Sequence, residues 1–384
     1  MIITRKIQIF IPERDKDLRK EYYQKLYENR DCAVQIANMG ISHLFMLDHT
    51  TPYLSAEDRE KLTFLGCPKA DGHQNEGSKR NATYVAASIA FKGKADMGMA
   101  SCVLQEVGKV YKDDRKKGMW NRSLRSFKSN MPIPFKADRF TDLRFAEYTD
   151  ENDKVHVGCF FTLIGIPFQM KFGRDRSNNQ AVVEAVIKGT YTMCTSSIKI
   201  EENKIFLLLC VDIPQDERYS PRKGKTLHCY LGIDTPIIYS TEVVAKREED
   251  SGYKVWTIGT AEEFNQRRRE IQESVKRCQI ANRYTSGGKG RQRKCQAIDR
   301  WHDKERNYVE TKLHTYSRLL VDAAVKHKCA EIRLWNQVHR EEKAKELKAT
   351  GRDSTVLRNW SYYNLKTKIA YKAKFYGIAV SVEK

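Results

Sequence analysis

Hydrophobic positions change their spacing twice along the chain, and each change separates one predicted region from the next. Between Thr4 and Pro12, isoleucines alternate with other residues, and this period predicts a strand ended by proline. Apolar residues then recur at helical spacing over 15–48, 81–91 and 100–111, with a loop rich in glycine, aspartate and asparagine over 68–78. The first third of the chain is therefore predicted to be one strand followed by helices.

The middle of the chain follows the shorter period of strands. Beyond the segment 131–135, which holds two prolines, the pattern predicts strands at 154–164, 166–172, 180–188, 191–200 and 204–213. Glycine and asparagine fill the turns between them. We expect a small β-barrel that the strand near the N-terminus joins as an edge. A polar, basic linker at 219–225 is predicted to end this region.

The last third mixes strands and helices. Strands are predicted up to Ile233, at 239–245, 254–258, 330–334 and 378–382. Helices are predicted from the N-cap Thr260 onward, over 297–326, and over 359–376 with Gly377 as its C′ glycine. A basic, glycine-rich segment at 285–294 is predicted to be flexible. This order, three strands, a basic helical insert, and then strand, helix and strand, suits a ribonuclease-H-like core. For the whole chain we predict an α+β multidomain protein.

Composition points to a negatively charged partner. The 384 residues include 69 lysines and arginines against 49 acidic residues, a formal charge of +20, which favours a polyanion. The ten cysteines are scattered, without a C-x₂₋₄-C pair, so neither a zinc ribbon nor a disulfide framework is indicated. The sequence has no membrane-spanning apolar run and its start does not resemble a signal peptide. We expect a cytoplasmic protein.

Two basic clusters are the candidate contacts to nucleic acid, because lysine and arginine neutralise phosphates. One follows the helix predicted at 100–111, and the other extends along the basic helical insert. Tyr111, Trp120 and Phe127 lie among the first cluster and are candidates for stacking on nucleotides, although core packing is the alternative for each. The candidate cations are Lys109, Lys112, Arg115, Lys116, Lys117, Arg122, Arg125, Lys128, Arg267, Arg268, Arg269, Lys276, Arg277, Arg283, Lys289, Arg291, Arg293, Lys294 and Arg300.

Asp234 is the candidate metal ligand. It lies where a predicted strand ends, and a carboxylate in that position can hold Mg²⁺ over a phosphate. Two-metal cleavage of a phosphodiester needs several carboxylates, because two divalent ions repel each other unless anionic ligands offset their charge. An aspartate that only caps a turn is the alternative interpretation.

Several motifs occur in a fixed order along nearly the whole chain. They are Thr4–Pro12, Leu231-Gly-Ile-Asp234, Gly287–Lys294, Tyr308 with Tyr316–Ala324, and Asn359–Leu365 with Ile369–Ala373. Together they resemble the miniature type V-F CRISPR effectors and, more distantly, the TnpB-type RNA-guided nucleases encoded by transposons. Leu231–Asp234 is similar to the first motif of the RuvC nuclease domain in that family.

The resemblance implies a domain plan and a set of partners. Residues 1–14 and 132–218 would form an oligonucleotide-binding β-barrel called the wedge domain, 15–131 a helical recognition lobe, and 226–384 a RuvC-like domain. A guide RNA and a target DNA duplex with a short adjacent motif, the PAM, are the implied partners. Ser101 and Gln105 in the recognition lobe are the candidate PAM readers. A homodimer on one guide RNA is also implied.

Two departures from the family pattern predict that the nuclease site is inactive. Trp335 stands where the family has a catalytic glutamate, and an indole offers no anionic oxygen to Mg²⁺. Asn336 is a neutral ligand, and Glu331 lies roughly 13 Å upstream along the strand. The sequence ends before the family's zinc ribbon and third aspartate. We therefore expect Asp234 to be vestigial, with no catalytic residue, no magnesium site and no zinc.

The predicted function is RNA-guided binding of double-stranded DNA without cleavage, acting on transcription. The protein would occupy promoters, or it would recruit a sigma factor and RNA polymerase. One alternative is an active, magnesium-dependent, guide-directed endonuclease that uses Asp322 or Asp353 as a further ligand. The other alternative is an RNA-binding protein that does not target DNA.

Overall fold

The computed structural model describes residues 1–58, 82–118, 124–149, 154–173, 178–201, 204–215, 219–231, 235–242, 254–283, 289–335 and 362–383. Contacts divide the chain into two compact units, residues 2–213 and 214–384. Each unit combines a sheet with helices, as the predicted α+β class requires.

Three helices of the first unit lie where apolar periodicity predicts them. They are α1 (Lys16–Thr50), α2 (Ala82–Phe91) and α3 (Met97–Lys116). The carboxylate of Asp15 caps α1, and that of Asp96 caps α3 by accepting a 2.7 Å hydrogen bond from the Met99 amide. Helices α1 and α3 pack closely at Gly40, where an added Cβ would lie 2.5 Å from Leu104 Cδ2.

The sheet of the first unit is antiparallel. Its strands are β1 (Ile2–Phe10), β2 (Ile133–Phe135), β3 (Phe140–Thr149), β4 (Val155–Leu163), β5 (Ile166–Lys171), β6 (Thr192–Met193), β7 (Ser196–Glu201) and β8 (Lys204–Asp212). The order is β2-β7-β8-β1-β5-β4-β3, with β6 paired to β8. Because β1 lies between β8 and β5, the prediction that it forms an edge is wrong. Strands β2 and β3 end the order, and no pairing between them occurs within the described residues.

Two further predictions in this region are corrected. Residues 180–188 are predicted as a strand, whereas the structure forms helix α4 (Asn179–Ile187) and buries Val182 and Val183 on one side of it. The predicted strand at 191–200 is divided into β6 and β7. Strand β3 lies in a stretch for which no element is predicted, since its residues are mostly polar or half-buried.

The second unit has the element order that its pattern predicts: three strands, a helical insert, and then strand, helix and strand. Strands β9 (Arg222–Tyr230), β10 (Ile237–Ser240), β11 (Trp256–Ile258), β12 (Cys329–Trp335) and β13 (Ala379–Glu383) form a sheet in the order β11-β10-β9-β12-β13. Strand β12 runs parallel to β9 and β13, whereas β10 is antiparallel to β9 and β11. The helices are α5 (Ala261–Asn282), α6 (Lys289–Lys326) and α7 (Tyr362–Phe375).

One face of this sheet forms the core. Leu227, Cys229, Ile332 and Leu334 alternate along β9 and β12 and are buried in one apolar cluster with residues of α5, α6 and α7. The opposite face of the same strands carries polar and aromatic side chains, because successive residues of a strand point to opposite sides. These side chains form the candidate site described below.

Element boundaries in the second unit change two predictions. Strand β9 starts at Arg222, so the last four residues of the predicted linker 219–225 belong to the sheet. Helix α6 starts at Lys289, inside the segment 285–294 that is predicted to be flexible.

The Thr260 side chain caps α5, and Gly377 ends α7 with φ of +66°, so both predicted caps are confirmed. Among the described residues, no helix is long and apolar enough to cross a membrane.

Candidate strand-end site and nucleic-acid interface

The parallel strands of the second unit end together at one edge of the sheet. Trp335, the last residue of β12, is in register with Tyr230 on β9 and with Glu383 on β13. Open α/β sheets bind ligands at the carboxyl ends of such strands. Asp234 follows β9 four residues after Tyr230 and lies outside the described residues, as does Asn336.

Trp335 is held in an aromatic cluster at this edge. Its indole Nε1 donates a hydrogen bond to His228 Nδ1 at 3.4 Å, and its ring stacks beside that of Tyr230 with centroids 6.1 Å apart and planes within 13°. Burial, and then the positive charge of Arg333, lower the pKa of His228. The neutral imidazole is therefore favoured, and its Nδ1 can accept the indole hydrogen.

The nearest carboxylate on β12 is occupied by hydrogen bonds. Glu331 accepts from Ser381 Oγ at 2.5 Å, from Arg333 Nη2 at 3.1 Å and from Thr226 Oγ1 at 3.3 Å. These bonds, that of Ser381 first, lower the pKa of Glu331. Its carboxylate is therefore ionised and paired with Arg333, and it lies four residues before the end of β12.

Glu383 is a carboxylate at the strand end that sequence reasoning misses. It lies beside Trp335 across β13, and its Oε1 is 3.7 Å from Arg333 Nε. Arg333 Nε is buried and has no hydrogen-bond partner among the described residues, so the ion pair with Glu383 compensates its charge. Arg333 thus lies between two carboxylates and offsets the negative charge that metal ions would need at this edge.

The described part of this edge does not fit a two-metal centre. A donor-only indole occupies the end of β12, and no group of three or more His, Cys, Asp or Glu residues is placed to hold a metal within the described part of the chain. The spare carboxylate Asp322 lies on α6 and forms a 2.9 Å ion pair with Arg318. Asp353, the other spare carboxylate, lies outside the described residues.

The basic cluster on α3 divides into paired and exposed cations. Lys109 pairs with Glu106, and Arg115 pairs with Asp48. Arg125 makes two hydrogen bonds of 2.9 Å to Asp114, a buried carboxylate. The remaining described cations of the cluster are exposed and make no ion pair with described residues: Lys112, Lys116, Lys117 and Lys128. Arg122 and Trp120 lie outside the described residues.

The aromatic candidates near this cluster differ in exposure. Tyr111 is 4% exposed, and its hydroxyl donates a 2.7 Å hydrogen bond to Asp48 Oδ2. The prediction that Tyr111 stacks on nucleotides is therefore wrong, because its ring belongs to the packing between α1 and α3. Phe127 is half-buried and lines a cavity, so stacking on a nucleotide stays a prediction for that residue.

Arg268 is the clearest correction in the second basic cluster. It is 6% exposed, and its Nε and Nη2 donate hydrogen bonds of 3.1 and 2.9 Å to Glu305 Oε1 on α6. Gln272 Nε2 donates to the same oxygen at 3.2 Å. Arg268 therefore joins α5 to α6 and is not available to a phosphate.

The other cations of this cluster remain candidates. Arg269, Lys276 and Arg277 are exposed on α5 and make no ion pair with described residues. Arg267 pairs with Glu270, and Arg283 is exposed at the end of α5. Arg293 and Arg300 are exposed on α6, where Lys289, Arg291 and Lys294 also lie in the helical backbone.

Comparisons with known proteins agree on one relationship. No protein-family profile matches the sequence. The chain is 28% identical over 210 residues to the CRISPR-associated endodeoxyribonuclease Cas12f1 of Sulfoacidibacillus thermotolerans, a match covering 53% of this chain and 45% of the relative. It is 36% identical over 137 residues to the protein of the same name from Syntrophomonas palmitatica, covering 34% and 25%. The chain therefore matches less than half the length of these relatives.

A solved structure shares the fold across the whole chain. A protein chain of a Cas12f1-sgRNA-target DNA complex superposes with a TM-score of 0.63 at 15% identity, covering all of this chain and 89% of its own length. The chain resembles Cas12f1 in sequence and in fold. The predicted resemblance to type V-F CRISPR effectors is thus confirmed, whereas the inactive nuclease site and the relation to TnpB-type proteins stay predictions.

Several assignments within the Cas12f1-like chain stay predictions as well. Ser101 is half-buried and Gln105 is exposed one turn further along α3, which suits PAM reading without testing it. Sequence reasoning misses His228 and Tyr230, although they alternate with the buried Leu227, Cys229 and Leu231. Their alternation places them on the second face of the sheet, but only the parallel register brings them to Trp335.

Proposed function

We propose that this Cas12f1-like chain is an RNA-guided protein that binds double-stranded DNA sequence-specifically without cleaving it. The observation that carries the absence of cleavage is the position of Trp335. Its indole occupies the end of β12 beside Tyr230 and donates to His228, where a nuclease would need an anionic oxygen. Mg²⁺ prefers oxygen ligands, and an indole supplies none.

The charges around Trp335 support the same proposal. Of the two glutamates on this face, Glu331 is saturated with hydrogen bonds, and Glu383 faces the guanidinium of Arg333. A lone strand-end carboxylate cannot offset the repulsion between two divalent ions. We therefore propose that the protein holds no catalytic magnesium pair.

RNA-guided DNA binding is supported by the relatives and by the exposed cations. The relatives are named CRISPR-associated endodeoxyribonucleases, and the solved neighbour is a complex with sgRNA and target DNA. The formal charge of +20 suits contacts to phosphates, as do the exposed lysines and arginines on α3 and α5 that make no ion pair with described residues, such as Lys112 and Arg269. Guide pairing would supply sequence specificity, and the protein would read the PAM and the shape of the duplex.

A protein that binds a chosen DNA site and leaves it intact acts most directly on transcription. We propose that it occupies promoters or recruits a sigma factor and RNA polymerase, with the altered surface at Trp335 as a candidate contact. A homodimer on one guide RNA and the wedge, recognition-lobe and RuvC-like domain boundaries belong to the same proposal.

The test is a binding and cleavage assay with purified protein and the non-coding RNA transcribed from DNA flanking its gene. A labelled duplex that matches the guide, and a matched control duplex with a mismatched seed, are incubated with the complex in Mg²⁺ or EDTA. We expect guide-dependent retention of the matched duplex, intact in both buffers. Metal-dependent cutting of the matched duplex would establish the active endonuclease. RNA binding without retention of DNA would establish the non-targeting RNA-binding protein.

A further inference from the structure

The first unit contains an open cavity of about 360 Å³ between α3 and the sheet. Val103 and Val107 of α3 form one wall with Val110, and Met131 and Pro134 face them from the segment that leads into β2. Val103 and Val107 are 1% exposed, so apolar side chains form the inner wall of the cavity. Cavities of this size with a mostly apolar lining and a few polar groups are typical of small-molecule sites.

Polar groups are confined to the mouth of this cavity. Glu106 of α3 lies on one side and its Oε1 holds Lys109 Nζ at 2.9 Å, whereas Thr195 and Ser197 lie on the side of the sheet. A carboxylate accepts hydrogen bonds from an exocyclic amine, and hydroxyl groups both donate and accept. The rim can therefore bond to the edge of a planar ring that enters the apolar interior.

Phe127 supplies an aromatic side to the cavity, and its backbone is fixed. The Phe127 amide donates to Asn38 Oδ1 at 2.8 Å, and Asn38 Nδ2 donates to the Phe127 carbonyl at 3.0 Å. This reciprocal pair ties the segment that carries Phe127 to α1. An aromatic side chain on an anchored backbone, beside an apolar slot, offers a surface on which a nucleobase can stack.

One exposed cation adjoins the aromatic side of the cavity. Lys128 follows Phe127 directly and is exposed, and it makes no ion pair with described residues. A ligand with an apolar planar part and an attached phosphate would match both the slot and its rim. A nucleotide has this combination, with its base inside and its phosphate at Lys128.

We propose that this cavity binds one unpaired base of the guide RNA, stacked beside Phe127 and bonded at its edge to Glu106 or to Thr195 and Ser197. The proposal rests on the proposed function, because it takes the chain to bind RNA. An unpaired base of an RNA loop can be splayed out at little cost, whereas a base in a DNA duplex must first be unstacked and unpaired. The occupant is therefore the RNA and not the target duplex.

The experiment uses the full chain with its flanking non-coding RNA, labelled with 4-thiouridine and crosslinked at long wavelength. Val110→Trp fills the mouth, because Val110 is half-buried at its edge. Ile89→Trp is the matched control, since Ile89 is 77% exposed on α2 and does not line the cavity. Phe127→Ala is the second variant, and the thermal melt of each variant checks folding.

We expect crosslinks to peptides that line the cavity in the wild type and in Ile89→Trp, and their loss in Val110→Trp. RNA affinity should fall at least about fivefold in Val110→Trp and Phe127→Ala, as expected for the loss of one stacked base. Wild-type affinity and unchanged crosslinks in the folded variants would overturn the pocket alone. Crosslinks that form only with thiolated target DNA would overturn RNA as its occupant. A wild-type chain that binds no RNA would overturn the proposed function as well.

Discussion

Arg268 and Arg269 are adjacent in sequence but differ in role: Arg268 stabilises the fold, whereas Arg269 is a candidate phosphate contact. Substituting each in turn distinguishes the two roles. Arg268 is buried against Glu305, whose side chain is 18% exposed, whereas Arg269 is exposed. Removing one partner of a buried ion pair costs about 3–5 kcal/mol, because the other charge stays buried. Glu305 keeps its bond from Gln272 and some contact with water, so we expect about 3 kcal/mol for Arg268→Met.

The loss should be visible in thermal unfolding. The unit that holds both residues spans 214–384, and for domains of this size each kcal/mol shifts Tm by about 2–4 °C, so Arg268→Met should lower Tm by about 6–12 °C. Arg269→Met should leave Tm nearly unchanged, since exposed substitutions stay within about 0.5 kcal/mol. In a salt series, Arg269→Met should reduce the slope of log K against log salt by about 0.7, the share of one phosphate of a single strand.

The double variant Arg268→Met/Glu305→Leu is the matched control. An apolar pair of similar volume can replace a buried ion pair at little cost, so the double variant should recover most of the lost Tm. The reasoning would be refuted if Arg268→Met melted like the wild type and weakened RNA binding as Arg269→Met does. That result would place the Arg268 guanidinium on the nucleic acid.

Three further substitutions test individual contacts. Tyr111→Phe removes the hydrogen bond to Asp48 and should cost about 1–2 kcal/mol in chemical denaturation, with RNA affinity unchanged; a marked loss of affinity would assign the Tyr111 hydroxyl to the RNA. Gly377→Ala should lower Tm by several degrees, because φ is +66° and the new Cβ would lie 2.2 Å from Gln215 Nε2; an unchanged Tm would contradict this geometry. Burial, followed by the charge of neighbouring cations, lowers the pKa of Lys372 to about 8 in the folded chain. Between about pH 8 and 10.5 the unfolded chain therefore binds more protons than the folded chain, and the free energy of unfolding should rise with pH. Lys372→Met should abolish that rise, as measured by denaturant unfolding at pH 7.5 and 10, and a rise that persists in the variant would assign it to other groups.

Long periodic stretches are predictable here, and short apolar runs are not. The helical spacing over 15–48 corresponds to α1. Pro12 follows the end of β1, and Gly377 follows the end of α7, as predicted. The run Ala181–Ile187 is rich in β-branched residues and reads equally well as strand or helix, because a short apolar run fits both periods. Tertiary packing of Val182 and Val183 decides for the helix.

The burial of Arg268 was open to sequence reasoning. Phe264, Arg268, Ile271 and Val275 recur at helical spacing on α5, and all four are buried. A positive charge inside such a stripe needs an acidic partner from another element. Glu305, however, lies 37 residues away on α6, and nothing local in the sequence identifies it.

The candidate site was predictable only in part. The end of β12 at Trp335 follows from the alternation of Ile332 and Leu334, so an indole at a strand end was visible from the sequence. Its neighbours were not, because the parallel register that places Tyr230 and Glu383 beside Trp335 joins segments far apart in the chain. Register in a parallel sheet is set by packing of the whole core, which no local pattern encodes.

The most direct test of the central claim is a map of DNA occupancy in cells that express the chain with its flanking non-coding RNA. DNA ends are mapped at the strongest sites of the same sample. The account predicts sharp peaks that match the guide, with intact DNA beneath them, and the position of the peaks relative to promoters would distinguish blocking from recruitment. Cut ends at guide-matched peaks would contradict the interpretation of Trp335, and diffuse occupancy with RNA still bound would contradict RNA-guided DNA binding itself.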